Sequence, residues 1–246
     1  MLTVALKELL DALRDTRSLA SSVFYCLMGP AVVWMVSRAV QGSAAAAVLA
    51  GMISVFALVA AFSGGMNVAM DAVAGERERK SLVPLLANPL PRLDFILGKW
   101  LAVTLFSAAG LLLCLLAFRF VYAPSGAGFL LVALTGLLPL ACLAAALEIG
   151  ISTLCASIKE AHTYLSMLVF VPMVIGMFGV FFPANSAVYA ALPLAGQQVQ
   201  LHRWLAGQPV ALLPSLFLSA LTTALAVAVL RAAALWLERD DAIYGR

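Results

Sequence analysis

Two histidines, four cysteines, one serine behind a glycine and two acids set in apolar surroundings are the groups on which catalysis by this chain would have to rest. His162 and His202 fall on opposite predicted sides of the apolar region, and neither stands in a His-Glu-x-x-His or other zinc spacing. No Gly-x-x-x-x-Gly-Lys-Ser/Thr occurs, so the chain has no P-loop to cradle nucleotide phosphate. Gly150-Ile151-Ser152 begins like a serine nucleophile turn, but no glycine follows at the needed place, and His162 comes ten residues later. Cys26, Cys114, Cys142 and Cys155 lie in apolar stretches without metal spacing. They read as buried thiols with no structural disulfide. Asp71 and Glu148 remain. An ionisable residue inside a membrane span is costly and suggests function by default. The plainer alternatives are a structural ion pair or a water-exposed position near the boundary. Asp71 sits near the C-terminal end of a span, where an acid opposes the helix dipole, so it calls for a basic partner.

The densest polar chemistry lies elsewhere. From Gly75 to Lys99 the chain reads GERERKSLVPLLANPLPRLDFILGK, and eight charges fall in it: Glu76, Arg77, Glu78, Arg79, Lys80, Arg92, Asp94 and Lys99. Such a segment is too charged for lipid and too patterned for a plain tether. It reads as a docking element for a soluble partner. Asn88-Pro89 stops one helical piece, because the residue before proline disfavours the helical region. Pro91 suits the first turn of the next.

The elements that must carry this segment are membrane spans. The composition is 64% hydrophobic and 11% charged, against about 45–50% and about 25% in soluble domains. Residues 18–37, 39–70, 100–118, 120–147, 163–201 and 204–230 contain no Asp, Glu, Lys or Arg. A spanning helix needs about 20 apolar residues, so six spans are expected, near 19–39, 44–74, 99–121, 129–156, 162–182 and 210–236. No cleavable signal peptide is evident. With a cytoplasmic N-terminus, Lys7, Arg14, Arg17, Arg77, Arg79, Lys80, Arg92, Lys99, Lys159, Arg231, Arg239 and Arg246 fall on the inner side. Only Arg38, Arg119 and Arg203 fall outside. The positive-inside rule therefore gives a domain with both ends in the cytoplasm. The basic balance is a membrane signal, and no nucleic-acid partner is expected.

Along the chain, Leu2, Leu6, Leu9, Leu10 and Leu13 recur at helical spacing, with Lys7, Glu8, Asp11, Arg14 and Asp15 between them. Residues 1–17 read as an amphipathic helix lying in the cytoplasmic interface, or as an ordinary helix in a tail. Ser63-Gly64-Gly65-Met66-Asn67 is a weak helical patch in the second span. It permits either close packing between helices or a flexible segment lining a pathway. Residues 183–209 are amide-rich and partly apolar, too polar to span. Short helices at the outer interface or re-entering it are expected there. The whole of 1–246 reads as one all-α transmembrane domain without repeats.

Four segments resemble the type-2 ABC exporter permease family, its NatB-like branch in particular. These are Leu6–Asp15, the island Gly75–Leu86 with Pro89–Arg92 and Leu97–Ala102, Ser157–Leu165 with His162 where Gln is common, and Leu192–Gln197 with Leu205–Gly207. They occur in order along nearly the whole chain. One departure is that such permeases often carry a larger outer domain. The resemblance implies a cell inner-membrane subunit with a short coupling helix between spans two and three. It implies pairing with a second permease subunit and with a pair of ABC ATPase subunits that hold ATP and Mg, while this chain binds no cofactor and has no catalytic residue. Glu76, Arg77, Glu78, Arg79 and Arg92 would then supply polar contacts to the ATPase or the amphipathic helix. Leu82, Leu85 and Leu86 would be apolar anchors, and Lys159 and Glu160 a second cytoplasmic contact. Asn67, Asp71 and Glu148 are the candidates for intramembrane polar or pathway roles.

Two other classes compete with a transporter subunit. A membrane-embedded enzyme needs a clustered acid, histidine or metal site, and a non-transporting anchor or assembly factor needs no coupling segment. The orientation itself is testable. With Ser81→Cys or Ser125→Cys in a background lacking the native thiols, an impermeant thiol reagent on intact cells is expected to label position 125 and spare 81. The opposite pattern inverts the topology.

Overall fold

The computed structural model describes residues 1–40, 45–86, 91–122, 128–181 and 187–238. Residues 41–44 and 123–127 between expected spans, the break expected at Asn88-Pro89 and the tail with Arg239 and Arg246 lie outside them. Every element among the described residues is a helix: α1 (Leu2–Arg14), α2 (Thr16–Ala39), α3 (Ala45–Glu78), α4 (Leu82–Leu86), α5 (Arg92–Phe118), α6 (Phe129–Leu154), α7 (Ile158–Phe181), α8 (Ala187–Ala191), α9 (Ala195–Leu205) and α10 (Leu212–Trp236). Six of them, α2, α3, α5, α6, α7 and α10, are long and apolar enough to cross a bilayer.

The span boundaries differ from the sequence reading where polar side chains prolong helices beyond the apolar run. The second span continues through Glu78 and the third starts at Arg92, so Lys99 lies two turns inside a helix. Pro91 precedes that helix in an extended conformation and sets its start. The island is therefore mostly helix among its described residues, with a short helix, α4, between α3 and α5.

α3 is the centre of the bundle, with α2, α5, α6, α7 and α9 packed on it. Small residues make that crowding feasible. Ala57, Ala60 and Ala61 are buried. At the Gly64-Gly65 break a Cβ on Gly64 would stand 2.9 Å from the Phe106 carbonyl oxygen and 3.2 Å from Gly110 Cα. Of the two readings of the Ser63–Asn67 patch, close packing is what the structure contains. Below it α3 widens into a π-helical turn over Asp71–Gly75, a common local device at functional sites. There the Ala74 N–H donates to Ser152 Oγ of α6 at 3.1 Å. Trp100 Nε1 likewise donates to the Cys142 carbonyl at 2.9 Å, tying α5 to α6.

The amide-rich outer segment is drawn into the bundle. Gln197 Nε2 donates to Thr222 Oγ1 of α10, and Gln198 Nε2 to the Gly176 carbonyl of α7, both at 2.7 Å. The Tyr189 hydroxyl donates to Gln198 Oε1 at 3.0 Å. Leu201, Trp204 and Leu205 join the core beside Val33, Leu49 and Ile53. The amides need partners away from water, and α7 and α10 supply them.

One residue makes the joint between α1 and α2. The Asp15 N–H closes α1 on the Asp11 carbonyl, and its carboxylate caps α2, accepting from the Arg17 and Ser18 N–H groups at 3.1 and 3.4 Å and from the Ser18 hydroxyl. The Ser18 hydroxyl and backbone bonds hold Asp15 below the ordinary aspartate value of 3.8. A lowered carboxyl stabilises the fold above its unfolded value and loses that contribution as pH falls. Asp15→Ala is expected to cost about 1 kcal/mol in chemical unfolding. Asp15→Asn, a good cap without a charge, is expected to keep the stability and lose its acid sensitivity.

Candidate functional site: the charged inner end of the bundle

Lys99 organises this end. It is fully buried, two turns into α5, on the face that meets α1 and the end of α3. Its Nζ lies 2.7 Å from Glu8 Oε1 of α1 and 2.9 Å from Glu76 Oε2 of α3. The second contact is an ion pair without hydrogen-bond alignment. Lys7 adds a second, half-exposed cation, 3.3 Å from Glu76 Oε1 and 3.6 Å from Glu8 Oε1. Burial alone lowers the Lys7 ammonium, but the Glu8 and Glu76 carboxylates outweigh it and hold Lys7 above the ordinary 10.5. Two cations thus meet two carboxylates from three helices. The Phe95 ring adds an aromatic face 4.7 Å from Lys99 Nζ. The approach of α1 is set by Gly98, where a Cβ would come 2.7 Å from Val4 Cβ and 2.9 Å from the Met1 carbonyl oxygen.

The four charges at 76–79 each take a different partner. Glu76 binds Lys7 and Lys99. Arg77 donates to the Cys155 carbonyl at the end of α6 at 2.6 Å. Glu78 Oε2 accepts the Ile158 N–H at the start of α7 at 2.7 Å. Arg79 pairs with Asp71 on its own helix at 3.5 Å. Successive helical residues point about 100° apart, so a run of alternating charges at one helix end reaches α1, α5, α6 and α7 together. α3 then stops at Lys80, a non-glycine residue at φ 58°. The Lys80 N–H returns to the Arg77 carbonyl and the Ser81 N–H to the Glu76 carbonyl, both at 2.9 Å, the pairing of a Schellman cap.

The other expected residues distribute as follows. Leu82 is buried with Val73, Phe95 and Ile96 in the protein's own core, so in this arrangement it anchors α4 to the bundle and offers no face to a partner. Leu85 is half-buried at the edge of that cluster. The Leu86 side chain lies outside the described ones, and Arg92 is half-buried at the start of α5. Lys159 is exposed. Glu160 Oε2 accepts the Ala156 N–H at 2.7 Å and its own N–H donates to Ser157 Oγ at 3.3 Å, a reciprocal cap that starts α7. Asn67 ties α3 to α2, donating to Ser21 and Ser22 Oγ at 2.9 and 3.1 Å. Glu148 is buried apart from the ion cluster. A cleft of about 780 Å3 opens between α1, α3 and α4, bordered by Asp11, Asp15, Asp71, Arg79, Ser81 and Leu85.

Sequence reasoning did not single out Lys99 or Glu8. The available signal was helical period: Phe95, Lys99 and Ala102 share one face with apolar neighbours, which makes a charge there conspicuous. Lys99→Met leaves Glu8 and Glu76 buried without their shared cation, a loss on the order of 3–5 kcal/mol. Adding Glu8→Gln is expected to recover part of it. Thermal unfolding of the purified protein measures both.

A family model described as ABC-2 family transporter protein matches residues 2–206, which is α1 through α9. The chain is 34% identical over 154 residues to the ABC transporter permease protein NatB of Bacillus subtilis, covering 55% of this chain and 38% of that protein. It is 35% identical over 120 residues to the probable ABC transporter permease protein NosY of Pseudomonas aeruginosa, covering 45% and 41%. With NosY of Stutzerimonas stutzeri the identity is 31% over 119 residues, with the same coverage. The chain thus spans 38% to 41% of the length of these relatives. With six helices among the described residues able to cross a bilayer and a family match running from α1 through α9, the chain belongs to the ABC-2 transporter family.

Proposed function

We propose that this chain is the transmembrane permease subunit of an ABC exporter. It sits in the cell inner membrane with both ends in the cytoplasm and pairs with a second permease subunit. Two ATPase subunits that bind ATP and Mg drive it. The observation that carries the reading is the fixation of residues 76–78 on α1, α5, α6 and α7 at once. Force applied to α4 or to this turn passes through short polar contacts to the spans. Closure of an ATPase dimer against the inner end then moves helices together, because packed interfaces shift between discrete arrangements and do not deform continuously.

The face available to such a partner differs from the one the sequence suggests. Glu76 and Leu82 are committed inward. Glu78, Arg79, Lys80, Pro84 and Lys159 are exposed around the half-buried Leu85. Leu85→Asp is expected to leave membrane insertion intact, since α4 is short and lies between charged segments. It places a charge at an apolar contact, where even truncation of a well-packed leucine costs about 2–5 kcal/mol. Co-purified ATPase and its turnover in reconstituted vesicles are expected to fall sharply relative to wild type. Undiminished assembly and turnover would remove α4 from the coupling path.

A further inference from the structure

Glu148 plays no part in the charged inner end, yet it is the most deeply placed acid among the described residues. It lies on α6, six residues before the helix ends at Leu154, which is about 9 Å along the axis at 1.5 Å per residue. It is 1% exposed, and among the described residues neither carboxyl oxygen has a hydrogen-bond partner or a counter-ion. Two hydroxyls on the facing side of α5 share that condition. Ser107 Oγ and Thr104 Oγ1 are buried and also lack partners. They are three residues apart and project from one helix face. The third wall is Gly65 of α3. A Cβ there would overlap Ser107 Oγ and stand 2.8 Å from Glu148 Oε2 and from Val103 Cγ1. Three helices thus meet at the Glu148 carboxyl and the Ser107 hydroxyl, and any side chain at position 65 would have to displace them.

The charged groups on the surrounding elements are engaged or turned away. On α5, Lys99 is held by Glu8 and Glu76. On α3, Asp71 is paired with Arg79, Arg77 is on the Cys155 carbonyl and Glu78 on the Ile158 N–H. On α7, Glu160 caps its own helix, and Lys159 and His162 are exposed. Arg231 of α10 is exposed too. An isolated ionised carboxylate in such a place is strongly disfavoured, because nothing repays its lost hydration. A neutral carboxyl costs far less and can donate one hydrogen bond and accept others.

We propose that Glu148, backed by Ser107 and Thr104, is a proton-binding site whose occupancy is coupled to the packing of α3 at Gly65. In the packed arrangement the carboxylate takes up one proton and becomes a neutral carboxyl. Release passes that proton to water, and the resulting carboxylate needs hydration. The Gly64-Gly65 break must therefore draw back from α5 and α6 for release to occur. Proton binding and helix packing become one equilibrium in which the packed state holds one proton more than the opened one. The tight contact at Gly65 favours a proton over an alkali cation, which needs several oxygen ligands at longer distances. The inference stands whether or not the chain exports anything.

The test uses purified full-length protein in lipid nanodiscs. Infrared spectra of wild type at neutral pH are expected to contain the carbonyl band of a protonated carboxyl, shifted by deuterium exchange and lost in Glu148→Gln. Thermal stability of wild type is expected to fall as pH rises from about 6 to about 9, relative to Glu148→Gln, by up to tenfold in the opening constant per pH unit. Glu148→Asp, with a shorter reach to the same hydroxyls, is expected to keep the band at a changed frequency, which secures the assignment if the glutamine variant does not fold. Three results overturn the proposal. One is a wild-type spectrum without a protonated carboxyl at neutral pH. Another is parallel pH profiles for wild type and Glu148→Gln. The last is stabilisation of wild type, lost in Glu148→Gln, by sodium or potassium at fixed pH, which makes the ligand a metal cation and not a proton.

Discussion

A lysine that cannot reach water must be given its counter-charges by the fold, and Lys99 sets the geometry of the inner end for that reason. Its ammonium is fully buried, and the nearest carboxylates belong to α1 and α3. Desolvating such a group is repaid only when geometry and hydrogen bonding are good. α1 must therefore lie across α5 at Gly98, and α3 must stay helical through Glu76. The position of α4, the cap at Lys80 and the contacts of Arg77 and Glu78 all follow from that extension of α3.

The interior obeys a second rule. Helices in a membrane gain little from burying apolar surface against one another, so they associate through close contact and hydrogen bonds. α3 uses both. Its small residues admit α5 and α6, and Asn67 and Ala74 bond to side chains of α2 and α6. The same closeness that stabilises the centre brings the Glu148 carboxyl against a glycine, with no basic partner among the described residues. A tightly packed centre holding one unpaired acid beneath a rigid charged end is a bundle in which a change at either place is felt by α3.

The outer end is built on different chemistry. Gln197 and Gln198 are neutral and need only a hydroxyl and a carbonyl, which α10 and α7 provide. That allows α9 to enter the bundle as an inserted element, where a charged segment of the same length would have stayed at the surface. The end around Lys99 is held by ion pairs, and the opposite end is closed by amides.

Membrane class, six spans and the charged island were legible from composition and the length of charge-free runs, because these are one-dimensional quantities that no tertiary contact alters. The leucine period of α1 and the helix start set by Pro91 were legible for the same reason. Partner identity was not. Lys99 and Glu8 are 91 residues apart, and nothing in their spacing says that α1 crosses α5 at Gly98. Leu82 looks like an exposed anchor in sequence and turns inward because α4 folds back on Phe95 and Ile96. Glu76, Arg77 and Glu78 look in sequence like contacts for a partner or the amphipathic helix, yet each binds a group of this chain: Glu76 the cations of α1 and α5, Arg77 the end of α6 and the exposed Glu78 the start of α7. Glu148 was recognisable as an acid within a span, but its isolation depends on which faces of α3 and α5 meet α6. A side chain's charge and depth are written in the sequence, while the groups that meet it are decided only when helices far apart in the chain cross.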